Sequence, residues 1–91
     1  MDVVELTSKA KKELIKLPEY IQMKFYSWAD NIEEFGLEYV RKIKGYHDEP
    51  LRGKRKGQRS VRLSQAYRAI YVLENGEPRV IEVIEVNKHK Y

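Results

Sequence analysis

The chain has no cysteine, and its 91 residues include only two histidines, one tryptophan and two phenylalanines. Without thiols there is no disulfide, no thiolate zinc site and no cysteine nucleophile. His47 and His89 lie 42 positions apart with no cluster of further ligands beside either, so neither a metal nor a cofactor is expected. No apolar run approaches the roughly 18 residues of a membrane span. The opening stretch, MDVVELTSKAKKELIKL, carries charges inside any would-be signal core. A cytoplasmic protein away from membranes is therefore expected. So short a chain buries about two-thirds of its unfolded surface, enough for one modest core. A single domain over residues 1–91 follows.

What is present is charge, unevenly placed. The net charge is +4, yet Arg52, Lys54, Arg55, Lys56, Arg59 and Arg62 put six cations into eleven residues without an acid, leaving the remainder at −2. A mildly acidic body with one dense basic band is the footprint of a polyanion binder. The alternative is a solvated basic loop with no partner.

The periodicity predicts an α+β layout. Val3 to Leu6 is β-rich and suits an edge strand. Thr7 or Ser8 can cap the helix that follows. Ala10, Leu14 and Leu17 line one face of it, and Pro18 ends it or opens the next. Ile21, Phe25, Trp28, Ala29, Ile32 and Phe35 recur at helical spacing, with Gly36 as the stop. Trp28, inside that stripe, reads as a core anchor. Leu37 to Ile43 can add a helical turn or two. Gly45 to Gly57 is loop by composition. Ser60–Ser64, Tyr67–Glu74 and Arg79–Asn87 read as strands, the last central because it is apolar on both faces. Asn75-Gly76 signals a two-residue hairpin turn. Helices on one face of the sheet leave the other partly open for a site.

Few chemistries remain. Ser60 and Ser64 lack a nucleophile-elbow pattern, and Gly53 to Gly57 does not open a helix as a phosphate loop does. Metal-free RNA cleavage does fit, because RNA carries its own nucleophile, the ribose 2′-hydroxyl. The protein has to remove that proton, stabilise charge on the phosphoryl oxygens and protonate the leaving 5′-oxygen. Arginine suits the second task; His, Glu or Tyr suit the proton transfers. Arg62 alternates with Val61 and Leu63 along one strand, and Arg68 sits among apolar residues in the next. An arginine so placed is either paired, with Glu82 or Glu85, or faces a wet cleft.

From Tyr46 onward the sequence resembles the RelE/ParE superfamily of type II toxin–antitoxin toxins, nearest to the RelE/StbE and HigB-like messenger-RNA interferases. The residues that carry the resemblance are Glu49-Pro50-Leu51 with Gly53, Lys56 to Leu63, Tyr67 to Tyr71 and Glu85 to Tyr91. Leu17-Pro18 and Trp28 agree in layout. The resemblance implies two N-terminal helices packed on a curved, mainly antiparallel four-stranded sheet, as in small microbial ribonucleases. It implies a ribosome-dependent endoribonuclease that cuts messenger RNA to a 2′,3′-cyclic phosphate. It implies a cognate antitoxin as partner, and operator DNA bound only through the antitoxin complex. By position, Arg68 matches the arginine on the scissile phosphate and Arg62 the basic residue that stabilises the transition state. His89 and Tyr91 match C-terminal positions used for proton transfer and base orientation, and Glu49 the general base of the YoeB-like branch. His47 stands two positions before Glu49, whereas other branches place a loop histidine directly before the proline. Arg52, Lys54, Arg55, Lys56, Arg59 and Lys88 would meet RNA backbone. Arg62, Arg68, His89 and Tyr91 together argue against the ParE branch, which poisons DNA gyrase without cutting RNA. A nucleic-acid-binding module without catalysis is the other alternative.

Overall fold

The structure is a computed structural model and describes residues 1–88. Five strands, not four, form one sheet in the order β1-β5-β4-β3-β2. These are β1 (Asp2–Leu6), β2 (Glu49–Pro50), β3 (Arg59–Arg62), β4 (Tyr67–Glu74) and β5 (Arg79–Lys88). β1 runs parallel to β5 and every other pairing is antiparallel. The fifth strand is β2, inside the segment whose glycines and proline read as loop. Two residues give no period to detect; pairing of Glu49 with Ser60 and Pro50 with Arg59 makes the strand. Leu51 N–H donates to the Gln58 carbonyl at 2.8 Å and continues that contact.

Helices α1 (Ser8–Leu14), α2 (Glu19–Phe35) and α3 (Leu37–Val40) cover one sheet face. Thr7 is the cap of α1: its hydroxyl accepts from Ala10 N–H at 3.1 Å, satisfying one orphan donor of the first turn. α2 buries Ile21, Phe25, Trp28 and Ile32, a stripe at helical spacing. Gly36 stops it at φ +88°, a conformation that favours glycine, and its N–H closes on the Ile32 carbonyl at 2.8 Å. Phe35 falls outside the core. The chain turns at Gly36, Leu37 and Val40 fill the space, and Phe35 stacks on Tyr39 at the surface.

The core joins these helices to Val61, Leu63, Ala69, Tyr71, Ile81, Val83 and Val86 of the sheet. The Trp28 and Tyr71 rings lie 5.7 Å apart, which locks α2 to the middle of β4. A bulge lies opposite Ile70 and Tyr71, which face Glu85 and Val83, so Ile84 is the extra residue. It lets Val83 and Val86 both point into the core, an odd spacing that an unbroken strand forbids. The turn between β4 and β5 takes four residues, Asn75 to Pro78, and neither Asn75 nor Gly76 has a positive φ. The expected two-residue turn is thus not formed.

The N-terminal strand is pinned by charge. Arg79 forks onto both carboxylate oxygens of Asp2, at 3.0 and 2.8 Å, and reaches Glu38 at 3.1 Å. Asp2 also accepts from Leu37 N–H at 2.8 Å. The Arg79 hydrogen bonds hold the Asp2 carboxyl below its ordinary pKa, against the opposing effect of burial.

Candidate active site

Strand alternation divides the side chains of β3 and β4 between two faces. Val61, Ala69 and Tyr71 enter the helix-side core; Ser60, Arg62, Arg68 and Ile70 take the other face. Arg62 and Arg68 are direct cross-strand partners. Like charges so opposed destabilise a strand pair. Neither makes an ion pair among the described residues. Arg68 Nε is buried and, among those residues, has no hydrogen-bond partner. The acids that would have made Arg68 structural are engaged elsewhere or stand apart. Glu85 pairs with Arg55 and accepts from the Asn87 amide, and Glu82 takes no part in an ion pair among the described residues.

Around the two arginines lies a small cavity of about 110 Å³, lined by His47, Glu49, Ser60, Arg62, Ser64, Tyr67 and Arg68. Glu49, at the edge strand opposite Ser60, lies 3.5 Å from His47 Nε2. His47 adopts φ +47°, ψ +47°, the left-handed region that a non-glycine residue seldom enters. Such backbone persists where the surroundings impose it, and it concentrates at functional sites.

Asp48 supplies that constraint from beneath. Its side chain is only 1% exposed and accepts from Arg59 Nε at 2.7 Å and from the Tyr71 hydroxyl. Burial works against the Arg59 charge, but the hydrogen bond and charge of Asp48 outweigh it and raise the Arg59 pKa. Burial first, and then the Asp48 bond, raise the Tyr71 hydroxyl above its ordinary value. Residues 47 to 49 thus alternate: His47 and Glu49 line the cavity, and Asp48 holds the segment to the sheet.

The structure brings Glu49, Arg62 and Arg68, which the resemblance grouped, to one cavity. His89 and Tyr91 lie outside the described residues. The basic band divides. Arg52, Lys54, Lys56 and Arg62 are exposed, and so is Lys88 at the end of β5. Arg55 is bound to Glu85 and to Gln58, and the Arg59 guanidinium is held by Asp48, so both have intramolecular partners. Arg55 and Glu85 are 30 positions apart, beyond the reach of any local charge pattern. For Glu85 burial opposes ionisation, and the Arg55 bond and charge outweigh it, lowering its pKa. Sequence reasoning passed over Asp48, and it gave no site role to Tyr67, which both packs on the core and lines the cavity. No local pattern signals Asp48, because its partners Arg59 and Tyr71 lie 11 and 23 positions away.

The comparisons with known proteins agree with this architecture. The YoeB/ParE toxin from Agrobacterium tumefaciens superposes with a TM-score of 0.75 at 18% identity, covering 97% of this chain and 99% of that one. The toxin chain of the archaeal RelE–RelB complex from Pyrococcus horikoshii gives 0.70 at 26% identity, over 94% and 92%. The toxin–antitoxin complex RelBE2 from Mycobacterium tuberculosis gives 0.70 at 23% identity, over 96% of both chains. Among curated protein sequences none matches. Residues 4–90 match the family described as the ParE toxin of the type II toxin–antitoxin system parDE, and the chain belongs to that family of toxins.

Proposed function

We propose that this toxin is a ribosome-dependent endoribonuclease that cuts messenger RNA by attack of the ribose 2′-hydroxyl on the adjacent phosphate. The observation that carries the proposal is the opposed pair Arg62 and Arg68, without carboxylate partners among the described residues and with Arg68 Nε buried and unsatisfied. A phosphate supplies what both lack. Two guanidinium groups facing one phosphoryl group stabilise the charge that grows on its oxygens in the transition state. Glu49 takes the 2′-hydroxyl proton, with His47 positioning its carboxylate at 3.5 Å. The oxygen then attacks phosphorus, the bond to the 5′-oxygen breaks, and a 2′,3′-cyclic phosphate and a 5′-hydroxyl result. His89 or Tyr91 gives the proton to the leaving oxygen. Because the substrate carries its nucleophile and two arginines balance the charge, the reaction as drawn needs no metal. Arg52, Lys54, Lys56 and Lys88 bind flanking RNA backbone.

The partners follow from the same reading. The solved relatives in complex, RelE with RelB among them, are bound to an antitoxin, and a cognate antitoxin is proposed here. The ribosome presents the messenger RNA, operator DNA is reached only through the antitoxin complex, and the site of action is the cytoplasm.

The test is 5′-end mapping of cellular RNA shortly after induction of the wild type and, separately, of Arg68→Ala. In-frame cuts that appear with the wild type and vanish with Arg68→Ala are expected. Growth arrest without new RNA ends would overturn the nuclease reading. A second reading has one observation in its favour, the description of the family as ParE toxins: poisoning of DNA gyrase without RNA cleavage. Supercoiling by purified gyrase, with and without the toxin, decides it.

A further inference from the structure

A larger cleft of about 460 Å³ lies next to the cavity of the two arginines and shares Arg62 with it. Its volume falls in the range of about 300–1,000 Å³ that holds a small organic ligand. One wall is α2, which presents Lys24, Ser27 and Asn31 at spacings of three and four residues, hence on one helix face. That face is not the buried stripe of Ile21, Phe25, Trp28 and Ile32. The opposite wall is the segment after α3, with Ile43 and Tyr46. The Asn31 amide donates to the Tyr46 hydroxyl at 3.4 Å, which fixes the ring relative to the helix.

We infer that this cleft receives the base of the nucleotide next to the scissile phosphate and reads its identity, a role that rests on the RNA-cleaving function proposed above. The chemistry of the walls points to a base. The Tyr46 ring and the Ile43 side chain offer a surface on which a base can stack. Asn31 carries both a donor and an acceptor, and Ser27 a hydroxyl that serves as either, so base edges can be distinguished. Lys24 supplies a cation for a second phosphate beyond the base. Arg62 stands where the two spaces meet, so a phosphate on it has its own nucleoside at the mouth of the cleft. A deep aliphatic groove for a protein side chain would not place three polar side chains of one helix face along its wall.

The test uses the whole chain and a trinucleotide with 2′-deoxyribose at the cut position, which binds but lacks the attacking hydroxyl. Nuclear magnetic resonance titration follows the Asn31 side-chain amide, the Tyr46 ring and the Arg62 and Arg68 guanidinium groups. The expected result is a saturable shift at both sets, with affinity that depends on which base fills the cleft position. Asn31→Ala and Ser27→Ala should each change the ratio between preferred and disfavoured base by about fivefold, the worth of one hydrogen bond, and shift the cellular cut-site preference in the same sense. Ser27 is exposed, and alanine favours helix there, so that variant remains informative if Asn31→Ala loses stability. Shifts at Arg62 and Arg68 with none at Asn31 and Tyr46, or unchanged base ratios in both variants, would overturn the base-reading cleft and leave the nuclease reading standing. Absence of shifts at both sets would overturn the base-reading cleft, and the 5′-end mapping with Arg68→Ala decides separately whether the nuclease reading falls with it.

Discussion

The two faces of the β3–β4 hairpin carry arginines under opposite conditions. On the helix side Arg59 meets a buried carboxylate, and the Tyr71 hydroxyl completes the contact. On the other side Arg62 and Arg68 oppose each other and neither forms an ion pair among the described residues, although Glu49 lines the same cavity. Only two residues separate Arg59 from Arg62 in the chain, and the residue type is the same. What differs is whether the protein satisfies the charge itself. A buried charge paired within the protein is a structural device; a polar group left without a partner is costly unless water or a bound group completes it.

That contrast can be broken most severely from the paired side. Arg59→Ala leaves Asp48 buried without its cation and should cost about 3–5 kcal/mol of stability, measured by denaturant unfolding. If the midpoint moved little, Asp48 would not depend on Arg59. Arg68→Ala should do the reverse. It relieves a like-charge contact, so the unfolding midpoint should hold or rise. RNA cleavage should fall by about 10²–10³-fold, the scale of a lost oxyanion donor. Coincident losses of stability and cleavage would erase the distinction between the faces.

Tyr71→Phe is gentler. It removes one hydrogen bond to a charged group and should cost about 1.5–3 kcal/mol in urea or heat. The variant also sharpens a pH effect. Tyr71 titrates higher in the folded state than its ordinary value of about 10. The associated stability is therefore fully present below about pH 10 and is lost as pH rises through the folded value. Wild type should show this alkaline decline in thermal unfolding and Tyr71→Phe should lack the part due to this residue; equal declines would clear Tyr71 of it. The smallest effect distinguishes the faces by ionic strength. RNA binding should weaken steeply with salt through counterion release, whereas unfolding stability, resting on the buried pair, should change far less. Parallel salt responses would mean that both faces hold exposed charge.

These contrasts also explain what could be read from the chain alone. α2, its glycine stop and the Thr7 cap are local: each is set by residues within a few positions, so periodicity reports them. The shared face of Arg62 and Arg68 was legible because two strands with a short connection force their register, and alternation fixes their face. β2 was invisible, since a two-residue strand exists only through its partner. The division of the basic band was hidden for the same reason. Asp48 lies 11 residues from Arg59, and Glu85 lies 30 from Arg55, so a count of charges along the chain credits both cations to the surface. The Asn75-Gly76 signal is strong in isolated hairpins, but here the connection spans four residues and the dipeptide adopts other angles. Phe35 fits the helical stripe by spacing and leaves it because the chain turns at the next residue.

The parallel pairing of β1 with β5 sets an order of events during synthesis. β1 is made first, but its sheet partner β5 is made after the other strands and lies between β1 and β4. Until β5 emerges, the first strand has no neighbour, and β4 lacks the one that completes the middle of the sheet. A nascent chain halted between Arg68 and Arg79 therefore carries both arginines on a sheet that still lacks its β5 strand. The cavity around the two arginines therefore belongs to the finished sheet, which is complete only once nearly all of the described sequence has been translated.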